Sequence, residues 1–245
     1  METSDSFPIE LRADQEHSGI RTIVVIGLFV LLFLFYLLIS ALWSAFAPGN
    51  LADYTFVISC GIAIGLALVS LWALEKYLKR IWPSGRAIIL DDAGVQAKDP
   101  EADTVQILWA DEPFQLSWWF YLRGYPRGGR ERRLPKHWVC VATQLQAGEN
   151  FVIVYTYAPP KEATVWTHYE REFRQLNPAE IYKHGLTSRF AAPSRPEVPS
   201  KLLLGKDGKH WQAEQRRWLY GYELERDDFK KFMDFAASRQ TYHSK

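Results

Sequence analysis

Residues 22–47, TIVVIGLFVLLFLFYLLISALWSAFA, and residues 54–74, YTFVISCGIAIGLALVSLWAL, contain no charged side chain. As helices these runs would be about 39 Å and about 31 Å long, at about 1.5 Å per residue. Both lengths reach across a hydrocarbon core of about 30 Å. The runs consist mainly of Leu, Ile, Val and Phe, which favour insertion into lipid. Because only the short segment PGNLAD separates them, the sequence predicts a transmembrane hairpin over residues 22–82.

The first apolar run has an alternative interpretation as a cleaved signal, since Ala-Phe-Ala at residues 45–47 resembles a signal-peptidase site. Two features argue against it. The run is longer than the apolar core of a signal peptide, about 7–15 residues. The leader over residues 1–21 is acidic rather than basic. We therefore expect an acidic N-terminal tail over residues 1–21, followed by an uncleaved span.

The orientation of the hairpin follows from its flanking Lys and Arg residues, which are enriched on the cytoplasmic side. The turn between the spans has none, whereas the outer flanks carry Arg12, Arg21, Lys76, Lys79, Arg80 and Arg86. The sequence thus predicts a multi-pass protein of the cell membrane with both termini in the cytoplasm.

Gly61 and Gly65 in the second run have the GxxxG spacing that allows two helices to approach closely. They are predicted to serve helix packing. The partner is either the first span of the same hairpin, which we favour, or a helix of a second molecule. No ionisable side chain lies in either run, which argues against a transport pathway formed by this chain alone.

Residues 83–245 are long enough for one domain with its own core. Runs of β-branched and aromatic residues separated by short turns predict a mainly antiparallel β-roll. The runs are residues 87–90, 95–98, 104–109, 114–122, 138–143 and 151–157. With the two spans, this pattern predicts the α+β class.

The region after residue 158 has a different pattern. Aromatic and leucine residues at helical spacing over 166–176 predict a helical insertion within residues 159–200. Beyond it, residues 202–212 suggest a hairpin and residues 217–224 a last strand. Asp227 is placed to cap a C-terminal helix with an apolar stripe.

Three short stretches carry a family resemblance: IILDDAGV at residues 88–95, ILW at 107–109 and DDFKKF at 227–232. With them, the order of elements resembles membrane-anchored bacterial proteins with a pleckstrin-homology-like (YcxB-like) cytoplasmic domain. The resemblance implies two transmembrane helices followed by a β-roll that ends in a helix. Because a fold does not determine a function, the resemblance names none.

The most conspicuous polar feature is RGYPRGGRERRLPK, residues 123–136, with six cations and one anion. Its glycines and prolines predict a loop, and arginine binds phosphate groups in a bidentate manner. We expect Arg127, Arg130, Arg132 and Arg133 to bind anionic lipid headgroups or an acidic partner. The alternative is a solvated loop that keeps a sheet edge soluble.

Other chemistry is not indicated. The histidines and the two cysteines lack metal-binding spacing, and the common catalytic motifs are missing, so we expect neither a metal, nor a cofactor, nor an enzyme. A net charge of +1 argues against a nucleic-acid partner. The sequence predicts a membrane-tethered, non-enzymatic binding or regulatory module whose partners are membrane lipids, another membrane protein or a second copy. The alternative is an accessory or structural subunit of a membrane complex.

Overall fold

The computed structural model describes residues 8–15, 18–46, 54–123, 134–168, 172–181 and 198–243. Two compact units are present: Gln15–Ser84 form one, and the described residues up to Asp14 together with those from Gly85 onward form the other. The helices and strands are β1 (Ile9–Arg12), α1 (Ser18–Phe46), α2 (Thr55–Ile81), β2 (Ala87–Leu90), β3 (Gly94–Lys98), β4 (Val105–Leu108), β5 (Phe114–Tyr121), β6 (Val139–Ala147), β7 (Asn150–Ala158), α3 (Pro160–Thr167), β8 (Phe173–Gln175), α4 (Ser200–Leu203), α5 (Gly208–Tyr220), β9 (Tyr222–Glu223) and α6 (Arg226–His243). The protein is therefore α+β, as the sequence predicts.

The first unit is a pair of apolar helices. Segments Thr22–Phe46 and Thr55–Ile81 are long enough and apolar enough to cross a membrane. The helices pack through small residues of α2, because Ser59, Ala63 and Ala67 are its buried positions and recur every four residues. The second helix continues past the predicted end at residue 74 as far as Ile81, through two polar turns.

The other unit begins with a four-stranded antiparallel sheet in the order β1-β2-β3-β4. Its edge strand β1 precedes the two apolar helices, whereas its neighbour β2 follows them, and Ile9 pairs with Leu90 and Arg12 with Ala87. The N-terminal segment is therefore not a separate tail, which corrects the expected boundary at residue 21. Exposed and buried side chains alternate along β1, as expected for a strand whose sheet packs one face against a core.

The second sheet has five strands in the order β8-β5-β6-β7-β9. Its centre is the antiparallel meander β5-β6-β7, in which Tyr121 pairs with Val139 at the ends of β5 and β6 that flank the basic segment, residues 123–136. The short edge strands β8 and β9 both run parallel to their neighbours. The six strands predicted between residues 87 and 157 are present as β2 to β7, but the sequence did not predict these parallel edges.

The main core lies between the two sheets. It combines the inward faces of both sheets with α3 and α6, and its largest side chains include Trp109, Trp166, Phe229 and Phe232. Trp166 and Phe229 meet edge to face with ring centroids 5.3 Å apart, so α3 and α6 share one apolar layer. The predicted stripe of the C-terminal helix therefore packs into the protein.

A second, smaller core covers the outer face of the second sheet. Trp118, Phe120 and Tyr157 on that face are packed with Trp211 and Ala213 of α5. Because α5 occupies Gly208–Tyr220, the expected hairpin over residues 202–212 is wrong. The strand expected over 217–224 is present only at its end, as β9. Packing against this aromatic face stabilises the helix, although its own sequence is largely polar.

The predicted insertion contains several short elements. Helix α3 ends at Thr167, and Phe173 lies in strand β8, so no single helix covers residues 166–176. The Asn177 side chain accepts a hydrogen bond from the backbone N–H of Ala179 (3.2 Å) and caps a 3-10 turn, Pro178–Glu180. Residues 182–197 lie outside the described residues.

Candidate functional site

The segments that precede and follow the helical hairpin in sequence are joined by hydrogen bonds. The backbone N–H of Ala13 donates to the carbonyl of Arg86 (2.9 Å), and the N–H of Asp14 donates to the carbonyl of Glu223 (2.8 Å). Asp14 has a φ of 51°, a left-handed conformation that Asp tolerates better than most residues. The chain therefore turns sharply at Asp14, where strand β1 has ended.

Arg86 is the centre of a charge cluster at this junction. Its Nε donates to Asp99 Oδ2 (2.8 Å), and its Nη1 donates to Asp14 Oδ2 and to the carbonyl of Gly221 (3.2 Å). Its guanidinium also lies over the ring of Tyr222, 4.0 Å from the centroid. The three charged side chains are only 18–23% exposed, so this interaction network is largely shielded from water.

The charges in this cluster do not balance, because two carboxylates share one guanidinium. Burial raises the pKa of Asp14 above its ordinary value, and the attraction of Arg86 offsets only part of that shift. Burial acts to lower the pKa of Arg86, but the attraction of Asp14 and Asp99 outweighs it, so Arg86 remains charged. Burial likewise raises the pKa of Tyr222. The Asp14 carboxyl group therefore takes up a proton at a higher pH than an exposed aspartate does.

A second buried ion pair lies beneath α5. Arg217 donates from Nε to Glu214 Oε2 (2.7 Å) and from Nη2 to Glu214 Oε1 (2.9 Å), and Trp118 Nε1 donates to Glu214 Oε2 (2.9 Å). The guanidinium lies 4.5 Å from the ring centroid of Tyr155. Burial acts to lower the pKa of Arg217, but the attraction of Cys140 and Glu214 raises it well above its ordinary value. Arg217 therefore remains charged inside the outer core.

The two ion-pair networks border one cavity of about 110 Å³. Asp14, Arg86 and Gly221 form one side of it, and Tyr155 and Arg217 contribute the other. Such a polar space has room for several water molecules. The guanidinium groups are both held by carboxylates, so the arrangement is suited to binding the segments together and offers no nucleophile paired with a base.

The predicted anion-binding residues Arg127, Arg130, Arg132 and Arg133 lie outside the described residues. The structure does place the strands on either side of them, since β5 and β6 pair up to Tyr121 and Val139. The basic segment therefore connects two adjacent antiparallel strands.

Gly61 and Gly65 lie on a part of α2 that has no close neighbour among the described residues of the hairpin. A Cβ atom built on either glycine would meet nothing within 4 Å. Packing inside the hairpin is carried instead by Ser59, Ala63 and Ala67, so the favoured partner, the first span, does not contact these glycines. Their open surface is consistent with the other interpretation, contact with a second helix.

Sequence reasoning did not find Asp14, Arg86 or Arg217 as a site. Nothing local marks Asp14 and Arg86, because their contact depends on a strand pairing across the whole hairpin. Glu214 and Arg217 are an acidic and a basic residue three positions apart, a spacing that allows an ion pair on a helix. The spacing is informative only when the segment is known to be helical.

No group of three or more His, Cys, Asp or Glu side chains that could hold a metal ion occurs within the described parts of the chain. The chain matches no protein-family model, no curated protein and no solved structure.

Proposed function

We propose that the protein is a membrane-tethered, non-enzymatic binding or regulatory module of the cell membrane. The observation that carries this proposal is that β1 and β2, which lie on opposite sides of the two apolar helices in sequence, are neighbours in one sheet. A folded domain cannot be divided by a bilayer, so the chain must return to the side from which it left. Two spans, both of which remain in the mature chain, meet that requirement, whereas cleavage after residue 47 would remove β1.

The orientation with both termini in the cytoplasm rests on the basic residues outside the spans, among them Arg80 and Arg86. Reporter fusions after Lys245 and within the turn at residues 48–53 test it. A cytoplasmic reporter at Lys245 and an external one in the turn are expected. Reporters on the same side of the membrane would contradict the hairpin.

The domain is proposed to be pleckstrin-homology-like. Strands β1–β4 form one antiparallel sheet, β5–β7 the centre of a second, and α6 follows at the C-terminus and packs into the core between them. In this proposal the hairpin is an insertion between the first and second strands of the roll, and residues 159–225 are an insertion between its last central strand and its final helix. Strands β8 and β9 extend the second sheet.

The binding function is assigned to the basic loop between β5 and β6. Arg127, Arg130, Arg132 and Arg133 would contact anionic headgroups or an acidic partner, each adding about 1 kcal/mol near an anionic surface. Tethering concentrates the loop near headgroups, so weak contacts suffice.

The test uses a soluble form that keeps β1, with the hairpin replaced by a flexible linker. Changing all four arginines to Gln should abolish most of its co-sedimentation with phosphatidylglycerol liposomes at low salt. The matched control changes four exposed lysines elsewhere to Gln, namely Lys98, Lys161, Lys230 and Lys231. Equal losses in both variants would show non-specific charge attraction, and no loss in the arginine variant would refute the assignment.

The second candidate function is an accessory subunit of a membrane complex, which the open surface at Gly61 and Gly65 favours. Since a Cβ atom at either position meets no described atom within 4 Å, Gly61→Leu with Gly65→Leu should leave the fold intact. The pair should then abolish co-purification with a stoichiometric membrane partner or a second copy in mild detergent. Ala67→Leu, on the face buried within the hairpin, is the control that should damage the hairpin itself.

A further inference from the structure

Residues 201–209, which run from α4 into the first turn of α5 and are called the lysine–leucine turn below, present two leucines to solvent. Leu204 is 90% exposed and Leu203 is 41% exposed, whereas the preceding Leu202 packs onto the outer core. The backbone of this lysine–leucine turn is ordered by hydrogen bonds, from Leu204 N to the carbonyl of Ser200 (3.0 Å) and from Gly205 N to that of Leu202 (3.1 Å). The exposure of these leucines is therefore built into the turn.

A glycine maintains this shape. A Cβ atom at Gly208 would lie 1.9 Å from the carbonyl oxygen of Leu203, so only glycine allows the start of α5 to approach α4 so closely. The close approach places the leucines as a protrusion beside the first turn of α5.

Lysines surround the leucines. Lys201, Lys206 and Lys209 are exposed, and none forms an ion pair with another described residue. The nearby carboxylate of Asp207 is held by Arg174 in a bidentate pair, at 2.6 and 3.1 Å, and that pairing lowers the pKa of Asp207. The turn is therefore a small apolar protrusion with a net positive border.

An aromatic ring extends this surface. The ammonium of Lys209 lies 5.9 Å from the ring centroid of Phe114, and that ring is 54% exposed at the start of β5. The combination of leucine, phenylalanine and lysine is typical of segments that rest in the interface of a bilayer.

We propose that the lysine–leucine turn is a membrane contact of the domain, at which Leu203 and Leu204 enter the headgroup region of an anionic bilayer and the three lysines bind lipid phosphates. Charge complementarity identifies the partner, because the positive border matches anionic headgroups. A protruding pair of leucines can enter a deformable lipid surface. Domains that bind a protein segment more often do so with a groove on their own surface. The proposal rests on the proposed tethering, which keeps the turn at high local lipid concentration.

The experiment uses the full chain in nanodiscs with and without phosphatidylglycerol, with Cys60 changed to Ala and the buried Cys140 retained. An environment-sensitive fluorophore is attached at Leu204→Cys, and spin-labelled lipid is the quencher. Val165→Cys is the matched control, an apolar residue 57% exposed on α3. Val69→Cys, 66% exposed on α2, reports whether the hairpin is in the bilayer.

Quenching of the Leu204 probe in anionic nanodiscs should exceed that of the Val165 probe by at least about two-fold, and Lys201→Gln with Lys206→Gln and Lys209→Gln should remove most of the difference. Equal quenching at both sites, with strong quenching at residue 69, would overturn this inference and leave the tethering intact. Weak quenching at residue 69 would refute the tethering and this inference with it. A blue-shifted but unquenched Leu204 probe would show burial against a protein surface, which also overturns it.

Discussion

Asp14 and Arg86 form an ion pair across 72 residues of sequence, and the residues between them include both apolar helices. The charge pair, together with the hydrogen bond from Ala13 to Arg86, closes the domain around the point at which the hairpin leaves it. The hairpin is thus inserted in the sequence between two neighbouring strands of one sheet.

The burial of Leu11 gives a direct test that the N-terminal segment belongs to the domain. Leu11 is 1% exposed in the main core, and Leu11→Ala should lower the free energy of unfolding by about 3 kcal/mol. The adjacent Glu10→Ala, on the exposed face of β1, should change it by less than about 0.5 kcal/mol. Urea unfolding of the full chain in mild detergent, followed by tryptophan fluorescence, measures both. Equal effects would show that β1 does not pack on the core.

The proximity of the two hairpin ends predicts that the hairpin can be replaced. Joining residues 1–15 to residues 84–245 through about six Gly or Ser residues should span the short gap next to the Ala13–Arg86 hydrogen bond. The product should be a soluble, cooperatively folding domain. Residues 84–245 alone lack β1, so their first sheet has an exposed edge at β2, and they should unfold at lower urea or aggregate. Identical unfolding of the two proteins would contradict the role of β1.

The raised pKa of Asp14 predicts a pH dependence with a definite sign. Unfolded aspartate titrates near about 4, and burial places the folded pKa above that value. Between the two values the folded state holds a proton that the unfolded state has released, so the contribution of Asp14 to stability falls as pH rises through this window.

Asp14→Asn cannot titrate and should lack this contribution. The difference in unfolding free energy between the unchanged protein and Asp14→Asn should therefore be greatest near about pH 4 and decrease toward neutral pH. Urea midpoints at several pH values measure this difference. Asp92→Asn, an exposed carboxylate paired with Arg239, is a suitable comparison because it also removes one acidic group. A difference that increases with pH would contradict the shift.

The buried pair of Glu214 and Arg217 should behave as one unit. Glu214→Gln keeps an acceptor for Trp118 but leaves the guanidinium buried without its counter-charge, and should cost about 3 kcal/mol. Adding Arg217→Met removes the unpaired charge, so the double variant should regain most of that loss. Urea unfolding of the single and double variants tests the coupling. Additive losses would show that the two side chains act independently.

Much of the secondary structure is encoded locally. The apolar runs predict α1 and α2, and β-branched and aromatic runs predict strands β2 to β7, because hydrophobic periodicity reflects which face of an element is buried. The turn between the first two predicted strands is also encoded locally. Asp91 Oδ1 accepts hydrogen bonds from the N–H groups of Ala93 (2.9 Å) and Gly94 (2.6 Å) there.

The failures occur where distant contacts override the local pattern. Helix α5 includes few apolar residues and follows a glycine-rich turn, so it resembles part of a hairpin until Trp211 and Ala213 are placed against the outer face of β5 to β7. Strand β1 is four residues long, and its alternating pattern is too short to distinguish it from a polar tail.

The sequence by itself determined the two apolar helices, the strands of the central sheets and the C-terminal helix, because solvation and local conformational preference act within each segment. Only the tertiary structure decided that the segments on either side of the hairpin share one sheet, and that Asp14 meets Arg86 while Glu214 and Arg217 are buried together. The physical reason is that the pairing of β1 with β2 and of Asp14 with Arg86 depends on closing a long loop. The burial of Glu214 and Arg217 depends instead on how α5 packs against the second sheet.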